Sequence, residues 1–262
     1  MMIDVKDIKV SYDTKVILEN FSFSVDEGLM VSIIGPNGCG KSTALKAISK
    51  FLKKTNGKVY LQGEDMDKLS AKNIAKKMSV LSQYNRNPDD ITVRDLVSYG
   101  RIPHKRWYER NSKEDQKVID WAIKETGLTS MQDESILELS GGERQRVWIA
   151  MSLAQEPKVL LLDEPTTYLD ISHQLEIMEL LKKLNKELNL TVIMVLHELS
   201  QAAKYSDKII VMKKGDIIKQ GSPNKIITEK LLKDVYDVDV FIDKESLKDE
   251  IIIHPLKKTV IE

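Results

Sequence analysis

Leu29-Met30-Val31-Ser32-Ile33-Ile34-Gly35-Pro36-Asn37-Gly38-Cys39-Gly40-Lys41-Ser42-Thr43 is the stretch whose reading decides the fold. Leu29–Ile34 is a short apolar run that stops at a glycine, the pattern of a strand covered on both faces. Gly35–Thr43 satisfies G-x-x-x-x-G-K-[ST], and a helix is predicted from about Lys41 to Phe51. Strand, glycine-rich loop and helix start in that order form a phosphate cradle. Glycines let the backbone wrap closely, and successive N–H groups with the helix N-terminus face the anion. Gly35, Pro36, Asn37, Gly38, Cys39, Gly40, Lys41, Ser42 and Thr43 are therefore the candidate nucleotide-binding residues. Lys41 is expected to reach the β- and γ-phosphates, and Ser42 to offer its hydroxyl to magnesium.

Outward from this loop the pattern is α/β. Ile3, Val5, Ile8 and Val10 punctuate a polar background and suggest an edge-like strand, and Val16–Val25 is a second β-rich run. Downstream, Val159–Leu162 and Val192–Leu196 read as buried strands flanking a helix from about Ser172 to Leu188. That βαβ rhythm implies a parallel sheet. Between the β-rich parts, residues 85–155 read as a helical insertion. Thr92-Val93-Arg94-Asp95 and Ser112-Lys113-Glu114-Asp115 look like capping boxes with Asp in the acidic place, and a third helix is predicted from Gly141 to Gln155. Lys208–Met212 and Asp216–Gln220 read as a hairpin turning at Lys214-Gly215. Ser222-Pro223 opens a helix predicted to run to Val235. Residues 237–262 alternate only weakly.

Bulk properties exclude several classes. With 40 basic and 40 acidic side chains among 262 residues the formal charge is zero, giving no global reason to expect nucleic-acid binding. A single cysteine precludes an internal disulfide and fits a reducing compartment. The N-terminus lacks a signal-peptide pattern, and no apolar stretch approaches the ~20 residues that span a bilayer, so a membrane role works through a partner. His104 and His173 have no other His or Cys at ligand spacing and are not read as metal ligands.

Val159–Leu162 ends in Asp163-Glu164. Asp163 suits magnesium, directly or through water, and Glu164 suits the base that polarises or orients the attacking water. Leu139-Ser140-Gly141-Gly142-Glu143-Arg144-Gln145-Arg146 then resembles the signature motif of ABC cassettes. Its serine and glycine amides open a second helix start suited to an anion. The resemblance spans residues 2–240 and departs from the pattern at no position expected to matter for hydrolysis. It implies a RecA-like P-loop NTPase fold: a parallel sheet core with an N-terminal antiparallel β region and an inserted helical subdomain. Residues 1–84 and 156–222 would form the core with its β region, 85–155 the helical subdomain, and 223–262 a C-terminal extension of one ATPase domain.

The resemblance also implies roles. Tyr12 would stack on adenine, Gln83 would sense magnesium and the γ-phosphate, and His197 would contact the γ-phosphate. Ser140, Gly141, Gly142, Glu143 and Asp170 would face the ATP of an opposite protomer in a homodimer. Gly100-Arg101-Ile102-Pro103-His104 and Asp163–Gln174 look like cassettes of importers for iron chelates, haem or cobalamin. In that family, residues 84–108, with Tyr84, Tyr99, Trp107 and Tyr108 among charges, would form the groove that receives a permease helix. The alternative for these aromatics is an ordinary core. The chain would lie peripherally on the cytoplasmic face of the membrane, use ATP and Mg2+, and act indirectly with an extracytoplasmic substrate-binding protein. An ABC importer ATPase for another substrate is one competing reading, and a soluble ABC-superfamily ATPase acting on ribosomes or DNA is the other. The soluble reading fits less well with one signature and no sustained heptads. Cys39 has two readings: a thiolate favoured by Lys41 and the helix-start amides, or a small inward-turned residue that is inert.

Overall fold

The computed structural model describes residues 1–83, 91–106, 108–243 and 251–259. They fall into two compact units, residues 1–67 with 191–262, and residues 68–190.

The first unit opens with β1 (Ile3–Tyr12), β2 (Lys15–Val25), β3 (Met30–Ile34), α1 (Lys41–Ile48), β4 (Asn56–Leu61) and β5 (Glu64–Asp65). All of β3 is buried, as its apolar run requires. Its one polar side chain, Ser32, is satisfied by the Ser206 hydroxyl at 2.6 Å. An antiparallel sheet in the order β2-β1-β4-β5 carries the N-terminal region. The expectation of an edge-like β1 is corrected here, because β1 is paired on both sides. One face of this sheet is buried, so an interior strand alternates just as an edge strand would. Polar Asp7 sits at an irregularity with φ 49°, where its amide donates to Ser22 Oγ.

The second unit contains α2 (Ala71–Ala75), β6 (Met78–Leu81), α3 (Val93–Ser98), α4 (Lys113–Glu125), α5 (Gly141–Ala154), β7 (Val159–Asp163) and α6 (Ile171–Leu188). Strands β6 and β7 pair in parallel, with Leu81 opposite Leu162. Helices α3, α4 and α5 pack on one another, and α5 also lies against β6 and α6. Both Asp-containing capping boxes form, at Thr92/Asp95 and Ser112/Asp115. A buried guanidinium ties this unit together. Arg101 donates to Asp115 Oδ1 at 2.8 Å, to the Ala154 carbonyl at 2.8 Å and to Glu156 at 2.6 Å. Beside it, His104 Nε2 meets the Gln155 carbonyl at 2.8 Å. The segment Gly100–His104 thus fastens onto the C-terminal end of α5.

The chain then returns to the first unit with β8 (Thr191–Val195), α7 (Leu199–Tyr205), β9 (Lys208–Lys213), β10 (Asp216–Gly221), α8 (Pro223–Ile226), α9 (Glu229–Tyr236), β11 (Val238–Asp243) and β12 (Ile252–Lys258). Here β3 lies between β8 and β9, parallel to both, while β10 folds back antiparallel on β9. Helix α1 packs against β1, β2 and β8. The helix expected from Ser222 to Val235 is two helices. Ile227 is extended, and Thr228 Oγ1 accepts from Leu231 N to start α9 afresh. The weak alternation of the C-terminal residues resolves as an antiparallel pair, β11 with β12.

Asp115 gives a test of how the second unit is held. Burial alone would raise its carboxyl, but hydrogen bonds from Arg101 and Ser112 and the guanidinium charge hold it down at about 2. Its folded-state value lies below the unfolded one. The stabilisation is therefore present above about pH 4 and lost as pH falls towards 2. Asp115→Asn is expected to cost at least ~2 kcal/mol by urea denaturation at pH 7, and markedly less at pH 3.

Candidate functional site

In the first unit the loop after β3 is shaped by close approach. A Cβ on Gly35 would lie 2.2 Å from the Met212 carbonyl oxygen of β9, so no other residue fits there without moving backbone. Lys41 is buried at 5 % exposure, and its Nζ donates to the Gly35 carbonyl at 2.8 Å and the Pro36 carbonyl at 3.2 Å. Helix α1 begins at Gly40, which takes φ 105°. The first turn has neither a side-chain cap nor an acidic residue. An uncapped helix start beside a buried ammonium fits a polyphosphate. Asn37 and Gly38 are exposed, and Ser42 and Thr43 are partly buried on the first turn of α1.

Two supports for this loop come from far along the chain and have no signal in its sequence. The hairpin turn between β9 and β10 docks on it, the Gly215 amide donating to the Cys39 carbonyl at 2.9 Å. Tyr236, on the last turn of α9, hydrogen-bonds the Gly35 backbone, and burial pushes its phenol well above the ordinary range, with Cys39 adding to the rise. The Lys214-Gly215 pair is legible as a turn, but nothing in sequence says what a turn touches.

The register Ile33 opposite Val195, with Leu196 N donating to the Ile33 carbonyl at 3.2 Å, brings β3 and β8 to an end together. His197 therefore leaves the same sheet edge as the phosphate loop, with its side chain exposed. Tyr12 ends β1 and is 46 % exposed.

In the second unit β7 delivers Asp163, buried at 5 % exposure, at its C-terminal end. Glu164 follows with φ 56°, a left-handed conformation that a non-glycine residue holds at a cost of order 1–3 kcal/mol. Its carboxylate accepts from Gln83 Nε2 at 2.5 Å and from Thr167 Oγ1 at 3.1 Å. Thr167 is a partner that sequence reasoning missed. Gln83 and Asp163 offer an amide oxygen and a carboxylate, and Ser42 of the first unit separately offers a hydroxyl, each a hard oxygen donor of the kind magnesium takes. Among the described residues no cluster of three or more His, Cys, Asp or Glu is placed to hold a metal ion. Magnesium in nucleotide sites is typically held by one or two carboxylates together with phosphates, so no such cluster is needed.

The signature forms the start of α5. Ser140 is the N-cap, and Glu143 closes a capping box by accepting from Ser140 N at 2.8 Å. The ring of His173 lies against Gly142, where a Cβ would come within 2.2 Å of Cδ2, while Leu169 lies over Gly141. Asp170 caps α6 by accepting from His173 N at 2.9 Å, and also takes a bond from His173 Nδ1 at 2.9 Å. The histidine's amide and ring together hold the Asp170 carboxyl below its usual range.

A groove of about 880 Å³ lies elsewhere in this unit, between α2 and the segment around Ile102, Pro103 and Tyr108, with Lys105 and Arg106 on its rim. Tyr99 and Tyr108 are exposed rather than core residues. Tyr84 and Trp107 lie outside the described residues.

The chain is similar to known proteins in sequence and in fold. A family model described as ABC transporter matches residues 18–167. The iron(3+)-hydroxamate import ATP-binding protein of Bacillus subtilis (strain 168) is 47% identical over 237 residues, covering 90% of this chain and 88% of that protein. The ferric enterobactin transport ATP-binding protein of Escherichia coli (strain K12) is 41% identical over 254 residues, 97% of this chain and 94% of that one. Among solved structures, a metal-chelate type ABC transporter in an inward-facing conformation superposes with TM-score 0.85 at 26% identity, covering 98% of this chain and 96% of that one. A dimeric ATP-binding cassette bound to ADP and Pi gives TM-score 0.73 at 31% identity, covering 85% of this chain and 99% of that chain. The fold is thus that of the P-loop ATPase cassettes.

Of the two readings of Cys39, the structure selects the inert one. The side chain is 5 % exposed, and burial raises the thiol further than Lys41 and the backbone amides lower it. A maleimide is expected to leave the native protein unlabelled on the timescale on which it labels the urea-unfolded chain at the same pH. Equal rates in the two states would contradict the burial.

Proposed function

This chain belongs to the ATP-binding proteins of the ABC transporter family, which hydrolyse ATP, and from that membership we propose that its turnover energises uptake of an iron chelate through a separate membrane permease. The observation that carries the substrate class is its likeness, over nearly its whole length, to subunits that import iron-hydroxamate and enterobactin. Haem and cobalamin are the neighbouring possibilities within the same importer group.

In this reading Tyr12 stacks on the adenine, while Lys41 and the amides of Gly35–Thr43 hold the phosphates. Ser42, Gln83 and Asp163 hold magnesium, which when bound neutralises charge on the phosphate oxygens. Glu164 orients the water that attacks the γ-phosphorus and takes its proton on a carboxylate oxygen, as the bond to the ADP leaving group breaks. His197 donates to the γ-phosphate. The hydrogen bond from Gln83 to Glu164 supports a coupled pair, in which the residue that senses the metal also sets the base. Ser140, Gly141, Gly142, Glu143 and Asp170 act on the nucleotide of a second copy, so that an isologous dimer closes around two ATP molecules.

The permease docks near residues 84–108. The groove beside Ile102, Pro103 and Tyr108, rimmed by Lys105 and Arg106, supports this by offering apolar area with a basic edge. No helix among the described residues is long and apolar enough to cross a membrane. We assign the chain a peripheral position on the cytoplasmic face, with a substrate-binding protein acting on the other side.

The purified chain is expected to hydrolyse ATP only with a divalent cation, and Lys41→Ala to abolish nucleotide binding or turnover in a coupled phosphate-release assay. Glu164→Gln should keep ATP binding while turnover falls ~100-fold or more. Deleting the gene should impair growth on an iron chelate, haem or cobalamin as sole source. A defect confined to sugar or amino-acid uptake would refute the substrate class.

A further inference from the structure

Gly142 is buried, yet it sits on the exposed N-terminal turn of α5. What covers it is the imidazole of His173, whose Cδ2, Cγ and Cβ would lie 2.2, 2.6 and 3.0 Å from a Cβ at that position. The same ring is fixed from its other side by Nδ1, at 2.9 Å from Asp170 Oδ1. That oxygen also accepts the His173 amide at 2.9 Å and so caps α6. One turn further along both helices, Arg146 and Glu176 pair at 3.2 Å. Leu169 covers Gly141, so the loop before α6 and the first turn of that helix together seat on both signature glycines. No metal, nucleotide or catalytic base is needed to explain His173. These contacts all fasten the Asp170 loop to the signature.

We propose that His173 is a positioning residue that locks the Asp170 loop onto the first turn of α5, so that Ser140, Gly142 and Asp170 reach the second protomer's nucleotide as one rigid piece. This rests on the reading that those three residues act across the dimer. Its physical basis is that groups which must meet a γ-phosphate together lose heavily when one is misplaced, about a hundredfold for ~1 Å. The ring supplies both halves of the lock. Its carbons bear on a glycine where a Cβ would collide with them, and its nitrogen gives the carboxylate that caps α6 a second bond. The second glycine of the signature is then required for two reasons, exposure of amides to the nucleotide and a seat for this imidazole.

The test uses the full chain and three readouts. Affinity for a fluorescent ATP analogue at low protein concentration reports on the phosphate loop, kcat against KM reports on turnover, and sedimentation with ATP in the Glu164→Gln background reports on dimer closure. His173→Ala is expected to leave analogue affinity within about twofold, lower kcat about tenfold or more, and raise the ATP concentration at which the Glu164→Gln protein becomes dimeric. His173→Asn, whose amide nitrogen can take the place of Nδ1 towards Asp170, should recover most of both losses. If His173→Ala closes and turns over like the parent, His173 has no positioning role. The proposal is equally overturned if Asn fails to rescue although both variants melt at the parental temperature. If Glu164→Gln with the native His173 stays monomeric in ATP, the reading across the dimer fails and this inference falls with it.

Discussion

The ammonium of Lys41, turned back onto the Gly35 and Pro36 carbonyls, sets the geometry on which the nucleotide site depends. A cation at 5 % exposure is costly unless backbone dipoles converge on it, and they converge only if the loop wraps tightly. Tight wrapping in turn demands Gly35 against the Met212 carbonyl and a left-handed Gly40 at the start of α1. The wholly buried β3 supplies the rigid stem from which the loop departs. The loop's own bonding and its seat against β9 and the hairpin turn together hold its shape, and a polyphosphate meets amides that are already oriented.

In the second unit the strain at Glu164 has the same logic. Its left-handed backbone aims the carboxylate off the end of β7, and Gln83 and Thr167 hold it there. A carboxylate fixed by two donors has its direction set before any reactant arrives. The buried Arg101 network serves a different end. It binds Gly100–His104 to the last carbonyls of α5, so the helix that carries the signature at its start is anchored at its finish beside the exposed Ile102.

Much of this is legible in the sequence because short-range chemistry dictates it. G-x-x-x-x-G-K-[ST] after a buried run, Asp163-Glu164 closing another, and the two Asp capping boxes all encode structure within a few residues. What the sequence hides is tertiary. Alternation in β1 cannot show that both of its edges are paired, because polarity reports faces and not neighbours. The break at Ile227 lies inside a periodic helical pattern, and only the Thr228 cap marks it. Burial, not the adjacent lysine, decides the state of Cys39, and burial is set by Gly35 and by elements far along the chain. His173 reads as an isolated histidine because its partner on the signature is a residue with no side chain.

The docking of Gly215 on the Cys39 carbonyl has a consequence for how the protein is made. The phosphate loop leaves the ribosome well before β8, β9 and the hairpin turn that shape it. Its native form depends on contacts of very long sequence separation, whose loop-closure entropy must be met before they bring any return. A nascent chain halted before β9 would carry the complete nucleotide motif and yet lack the surface against which that motif is moulded. The loop thus takes its final form only after β9 and the hairpin turn have been made and have folded back onto it.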